Sequence, residues 1–197
     1  MQSVRLAIRI LLAISLVGLT SLAAASDAGE FVKGKQASLV TLLKQAETDK
    51  TQKKIESVFD EMLDYDTLAE QSLGKHWAGL KPEERSEFQD ILKKLVRNSY
   101  RKNLKKTLGY DVKFNGEKKQ APGILVQSVA KSRKDKRADP VQVDYLLHKV
   151  KGAWRVRDIV TDRASLVTNY RQQFNRIIKK DGFPALITRM KAKLSEA

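Results

Sequence analysis

The chain has 197 residues, 42% of them hydrophobic, and a formal net charge of +15. That length supports one domain with a real core and is too short for two large ones, and the apolar fraction argues against wholesale disorder. Cysteine is absent, which excludes disulfides, thiolate metal sites and lipid attachment to a cysteine after a leader.

Residues 1–25 read as a signal peptide. Arg5 and Arg9 form a basic start, Ile10 to Leu22 is apolar, and Ala23, Ala24 and Ala25 supply the small residues of a cleavage site. Ser26 then opens a single mature domain, 26–197. The competing reading is an uncleaved anchor, because the uncharged run reaches the lower edge of the roughly 17–25 residues a spanning helix needs. The leader holds two arginines and no acid, so the mature chain carries +13 of the +15. A basic chain first suggests nucleic acid. Export removes that partner and leaves anionic membrane surfaces, where each basic group gains about 1 kcal/mol, or a plain solvated face.

The mature chain begins with helical patterns. Residues 31–46 place Phe31, Val40 and Leu43 on one face, and a polar break at 47–51 separates them from a second helix through Ile55, Phe59 and Met62. Asp64 and Asp66 are capping candidates for a short helix carrying Leu68 and Leu73, which Gly74 ends. Pro82 fits a first helical residue, with Glu83 and Glu84 at the positive end of the helix dipole. The helix that follows has a continuous stripe of Phe88, Ile91, Leu92, Leu95, Val96, Tyr100, Leu104 and Leu108, closed by Gly109. Its other face is basic: Lys93, Lys94, Arg97, Arg101, Lys102, Lys105 and Lys106.

After Gly109 the period changes to two. Segments 111–114, 124–130, 141–147 and 154–160 predict about four antiparallel strands, with a turn at Lys151 and Gly152. On the last strand the alternation sets Trp154, Val156 and Val160 on one face and Arg155 and Arg157 on the other. A charged loop, 131–140, joins the second strand to the third. Helix returns through Leu166, Val167, Tyr170, Phe174, Ile177 and Ile178, stops at Gly182, and restarts at Pro184. The expected class is α+β: an antiparallel sheet of about four strands packed by several helices.

Nothing in this pattern reads as an active site. His76 and His148 lack any metal-binding helix motif, and no nucleophile elbow, phosphate loop or dinucleotide fingerprint occurs. Asp158 and Asp162 could be paired as acid and base. The simpler reading has Asp162 capping the next helix and Asp158 meeting an arginine or the backbone. The chain is therefore expected to be no enzyme and to need no cofactor.

Two stretches carry a resemblance. LGKHWAGLKPEERSEFQDILKKLVRNSY (73–100) is similar to the LGxxW and FxxxFxxLLxxxY segment of MlaC-type proteins, the toluene-tolerance family. WRVRDIVTDRASLVTNYRQQFNRIIKKDGFPALITRM (154–190) resembles the family's second segment, whose SLVxNYRxQF core has no general helical reason to recur. One departure stands out: Asp162 and Arg163 replace the family's usual Glu-Gly, so a glycine with positive φ there would leave Arg163 strained. The resemblance implies a periplasmic carrier with acyl chains in an apolar pocket between sheet and helices. It also implies passage of phospholipid between an outer-membrane lipoprotein complex and an inner-membrane ABC transporter, which maintains outer-membrane asymmetry.

Physics makes such a pocket reasonable. A phospholipid with roughly 30 methylenes gains on the order of 24 kcal/mol from chain burial, against about 0–1 kcal/mol for each exposed headgroup ion pair. The residues expected to line it are Val126, Val143, Tyr145, Leu147, Trp154 and Val156 on the sheet, with Leu92, Val96, Tyr100, Val167, Tyr170 and Phe174 on the helices. Ordinary core is the alternative for each. Two other functions stay open: a carrier of another envelope lipid such as a hopanoid, and a non-carrier that binds anionic membrane through its basic helix.

Overall fold

A computed structural model describes residues 27–196, with the side chains of all but 101–104. The expected leader lies outside the described residues. In chain order the elements are α1 (Asp27–Leu43), α2 (Asp49–Met62), α3 (Tyr65–Leu73), a single 3-10 turn (Gly74–His76), α4 (Pro82–Thr107), β1 (Tyr110–Gln120), β2 (Gly123–Ser132), β3 (Val141–Val150), β4 (Ala153–Thr161), β5 (Ala164–Ser165) and α5 (Leu166–Ser195). Among these residues no helix is long and apolar enough to cross a membrane.

Local chemistry sets the helix ends. Thr48 and Asp64 accept hydrogen bonds from the Thr51 and Thr67 amides at 3.1 and 3.0 Å, each satisfying an orphan donor of a first turn. Pro82 opens α4, and the Glu84 carboxylate takes the Lys81 amide at 2.8 Å. Gly182, at φ 83°, breaks α5 where the sequence predicts a stop, and Pro184 restarts it. One expected cap is reassigned. Ser165 is the N-cap of α5, and Asp158 supports it by accepting from the Ser165 hydroxyl at 2.6 Å and the Val167 amide at 3.1 Å. Asp162 instead accepts from the Gln142 amide at 2.9 Å, across the turn from β4 into β5. The stripe of α1 also differs: Ala28, Val32 and Leu39 are buried, whereas Phe31, Val40 and Leu43 flank them half-buried.

The strands form an antiparallel meander in the order β1-β2-β3-β4-β5, one more than expected because of the two-residue β5. Such a meander brings the start of β1, the end of β2, the start of β3 and the end of β4 to one end of the sheet. Register partners identify the face toward α1 and α2: Val126 opposite Tyr145, Ser128 opposite Val143, Leu147 opposite Val156 and Tyr145 opposite Ile159. Between the last two pairs the register shifts, Leu146 meeting Asp158 and Leu147 meeting Val156. That bulge at Arg157 inverts the alternation, so Ile159 and Thr161 follow Val156 on the inner face and Val160 does not.

The core joins both layers: Val32, Phe59, Met62, Leu68, Phe88, Leu92, Val96, Val126, Leu147, Val156 and Phe174 are all buried in it. The basic face of α4 is partly turned inward. Arg97 Nε donates to Asp60 Oδ1 at 3.0 Å, its terminal nitrogen also binds that carboxylate, and Lys93 Nζ lies 3.2 Å from Asp60 Oδ2. These contacts tie α4 to α2.

Candidate lipid-binding site

One cavity opens between the layers. It has a volume of about 490 Å³ and is lined from seven elements and their flanks, within the range typical of small-molecule sites. Val32, Leu39 and Val40 come from α1, Phe59 and Met62 from α2, and Tyr100 from α4. The sheet contributes Val112, Ala130, Val141, Val143, Tyr145, Ile159 and Thr161. Period-two alternation and the β4 bulge put these strand residues on one face. They share the end where β1 and β3 begin and β2 and β4 finish.

The deep end is apolar and uncharged. Phe59 and Tyr100 stack with ring centroids 4.7 Å apart. Burial pushes the Tyr145 hydroxyl up to about 12 and raises Tyr100 as well, so both stay protonated at neutral pH. The opposite end is cationic. Lys44 just beyond α1, Lys106 in the last turn of α4, and Arg133 after β2 line it, with Tyr110 at 37% exposure beside them. Chemically this is a slot for a long apolar group whose polar end stays near the surface. Among the described residues no group of three or more His, Asp or Glu is arranged to hold a metal ion. His76 and His148 hydrogen-bond to Asn175 at 2.9 Å and Asp64 at 2.6 Å, and neither lines the cavity.

The sequence model of the MlaC protein family matches residues 36–192. The chain belongs to the MlaC family. No curated protein matches this MlaC-family chain significantly. Among solved structures it is similar to a phospholipid-binding protein from Ralstonia solanacearum, solved in complex with a phospholipid. The two share 21% identity and a TM-score of 0.75, over 87% of this chain and 98% of the other. That likeness establishes the shared fold.

Against this geometry the expected lining residues divide. Tyr100, Val143 and Tyr145 line the cavity. Val96 and Tyr170 instead meet Tyr100 at an adjoining recess of about 280 Å³. Leu92, Val126, Leu147, Val156, Val167 and Phe174 are buried core. Trp154 is half-buried, with its ring N–H donating to Asp27 at 2.6 Å and the Lys149 ammonium 4.9 Å from its centroid. Two physical reasons account for the displacement. Val126, Leu147, Trp154 and Val156 lie on the inner face but toward the far end, where side chains fill the space between layers. Helix α5 packs on α3, α4 and β4 rather than over the cavity, so Val167 and Phe174 meet helices. The residues that sequence reasoning passed over come chiefly from α1 and from the mouth. Ala130 was a usable signal, since a small residue on a strand facing helices leaves room.

Proposed function

We propose that this MlaC-family protein is an exported carrier that holds phospholipid acyl chains in the cavity between its helices and sheet and ferries the lipid through the periplasm. The observation that carries the reading is the apolar cavity of about 490 Å³ with a cationic mouth. Burying acyl methylenes at about 0.8 kcal/mol each dominates any headgroup contact, and the lining offers mainly apolar groups to do so. The bound phospholipid of the Ralstonia solanacearum protein supports the same ligand class. Arg5, Arg9, the apolar run and Ala23 to Ala25 support export. Family membership supports exchange with an inner-membrane ABC transporter and an outer-membrane lipoprotein complex, with transient contact at anionic membrane. The reading includes no catalytic step and no cofactor.

The test is native mass spectrometry of mature protein from the periplasm, followed by organic extraction and identification of whatever copurifies. Phospholipid at near-stoichiometric occupancy is the expected result. A hopanoid or other envelope lipid would change the cargo and keep the carrier. Empty protein that takes up nothing from phospholipid vesicles would sink the reading.

A further inference from the structure

The formally charged residues that line the cavity mouth are all cationic. Lys44, Lys106 and Arg133 line it, and no aspartate or glutamate is among the lining residues. The three reach it from separate parts of the chain: the end of α1, the last turn of α4 and the residue after β2. Arg133 is oriented by Asp111, which accepts from its Nε at 2.6 Å, and by the Leu108 carbonyl at 3.4 Å from a terminal nitrogen. Lys44 has no ion-pair partner among the described residues.

From this geometry we infer that Lys44, Lys106 and Arg133 select lipids by headgroup charge, favouring an anionic phosphodiester headgroup over one whose phosphate is balanced by an ammonium. The inference rests on the carrier reading and adds a preference within its substrate class. A lipid seated with its chains against Phe59 and Tyr100 leaves its phosphate at the opposite, cationic end. There a phosphate gains from the nearby cations, whereas a headgroup ammonium meets like charge, and the carboxylate beside the lining, Asp111, is already engaged by Arg133. Chain burial is the same for both lipids, so it cancels from the comparison and even modest ion pairing decides the ratio. A rival account is that the lysines merely complement the negative ends of α1 and α4, which finish at this mouth. That role would alter stability and leave the lipid ratio alone.

The experiment loads delipidated, full-length mature protein from non-ionic micelles holding equal amounts of phosphatidylglycerol and phosphatidylethanolamine with identical chains. Native mass spectrometry reads the ratio bound. Micelles remove any effect of docking to a charged bilayer. At low salt the phosphatidylglycerol form should predominate by about threefold or more, and the excess should shrink at high salt as screening shortens the reach of the cations. The Lys44→Gln/Lys106→Gln variant should bind the two lipids at a ratio near one. Lys179→Gln/Lys180→Gln, on the exposed surface of α5, should keep the wild-type ratio. A wild-type ratio near one, or a ratio unmoved in the Lys44/Lys106 variant, overturns the inference while leaving the carrier intact. Failure to bind either lipid overturns the carrier reading and this inference with it.

Discussion

Arg163 sits at φ 69°, next to Asp162 at φ 46°, in the two-residue turn between β4 and β5. Two successive left-handed residues suit the right-handed twist of a tight hairpin, and the sequence that satisfies them best is Asp-Gly. A side chain in that region costs roughly 1 kcal/mol. Arg163→Gly should therefore raise unfolding free energy by about 1 kcal/mol, seen as a higher urea midpoint with an unchanged slope. Asp64 shows the opposite kind of residue, one whose chemistry fits its place. Burial pushes its carboxyl up, but the Thr67 hydroxyl at 2.6 Å, the Thr67 amide and His148 outweigh that and hold it below the usual carboxylate range. A depressed carboxyl stabilises the fold above its unfolded value, near 3.9, and loses that contribution as pH falls through the folded one. Asp64→Asn should cost on the order of 1 kcal/mol at neutral pH through lost charge-assisted hydrogen bonds. The gap to wild type should close below about pH 4, which chemical denaturation across pH 2.5–7 would follow.

Elements were legible where their ends carry their own chemistry. Pro82, Asp64, Gly74 and Gly182 mark helix boundaries in the sequence and mark them in the structure. The phase of β4 was not legible in the same way. Its alternation runs cleanly to Arg157, and only a charged Asp158 in the inward phase, followed by the adjacent apolar pair Ile159 and Val160, hints that the period breaks. The bulge exists because β4 must pair with β3 at two registers, which is a property of the pair rather than of either strand. Gly123, at the start of β2, is another case of pairing that one strand cannot reveal. A Cβ there would lie 1.8 Å from the Leu147 carbonyl oxygen, a backbone atom that cannot swing aside. Gly123→Ala should force the β2–β3 ladder apart and destabilise by on the order of 2–3 kcal/mol. Hydrogen exchange should show the loss first in the amides of β2 and β3.

For the whole molecule the useful distinction is between the right face and the right end. Alternation identified the inner face, so Val143 and Tyr145 were found together with Val126, Leu147 and Val156. Which end stays unfilled depends on how α1, α2 and the last turns of α4 cover the sheet, and no single segment encodes that. The distinction predicts that two substitutions of the same kind on one strand diverge. Ala130 lines the cavity, and Val126, four residues earlier on β2 with its side chain on the same face, is 1% exposed in solid core. Ala130→Trp places an indole in space that is already open, so the empty protein should keep its fold with a stability change within about 1 kcal/mol. Its phospholipid occupancy should drop at least about tenfold, because the indole takes the volume the chains need. Val126→Trp overpacks the core and should cost about 1–3 kcal/mol, yet each folded molecule should still load lipid. Thermal melts with and without phospholipid separate the two. A ligand at about 100 times its dissociation constant stabilises by about 2.7 kcal/mol, so wild type and Val126→Trp should melt higher when loaded, and Ala130→Trp should not. If both variants lost the lipid-dependent shift equally, the cavity would not be where the chains lie.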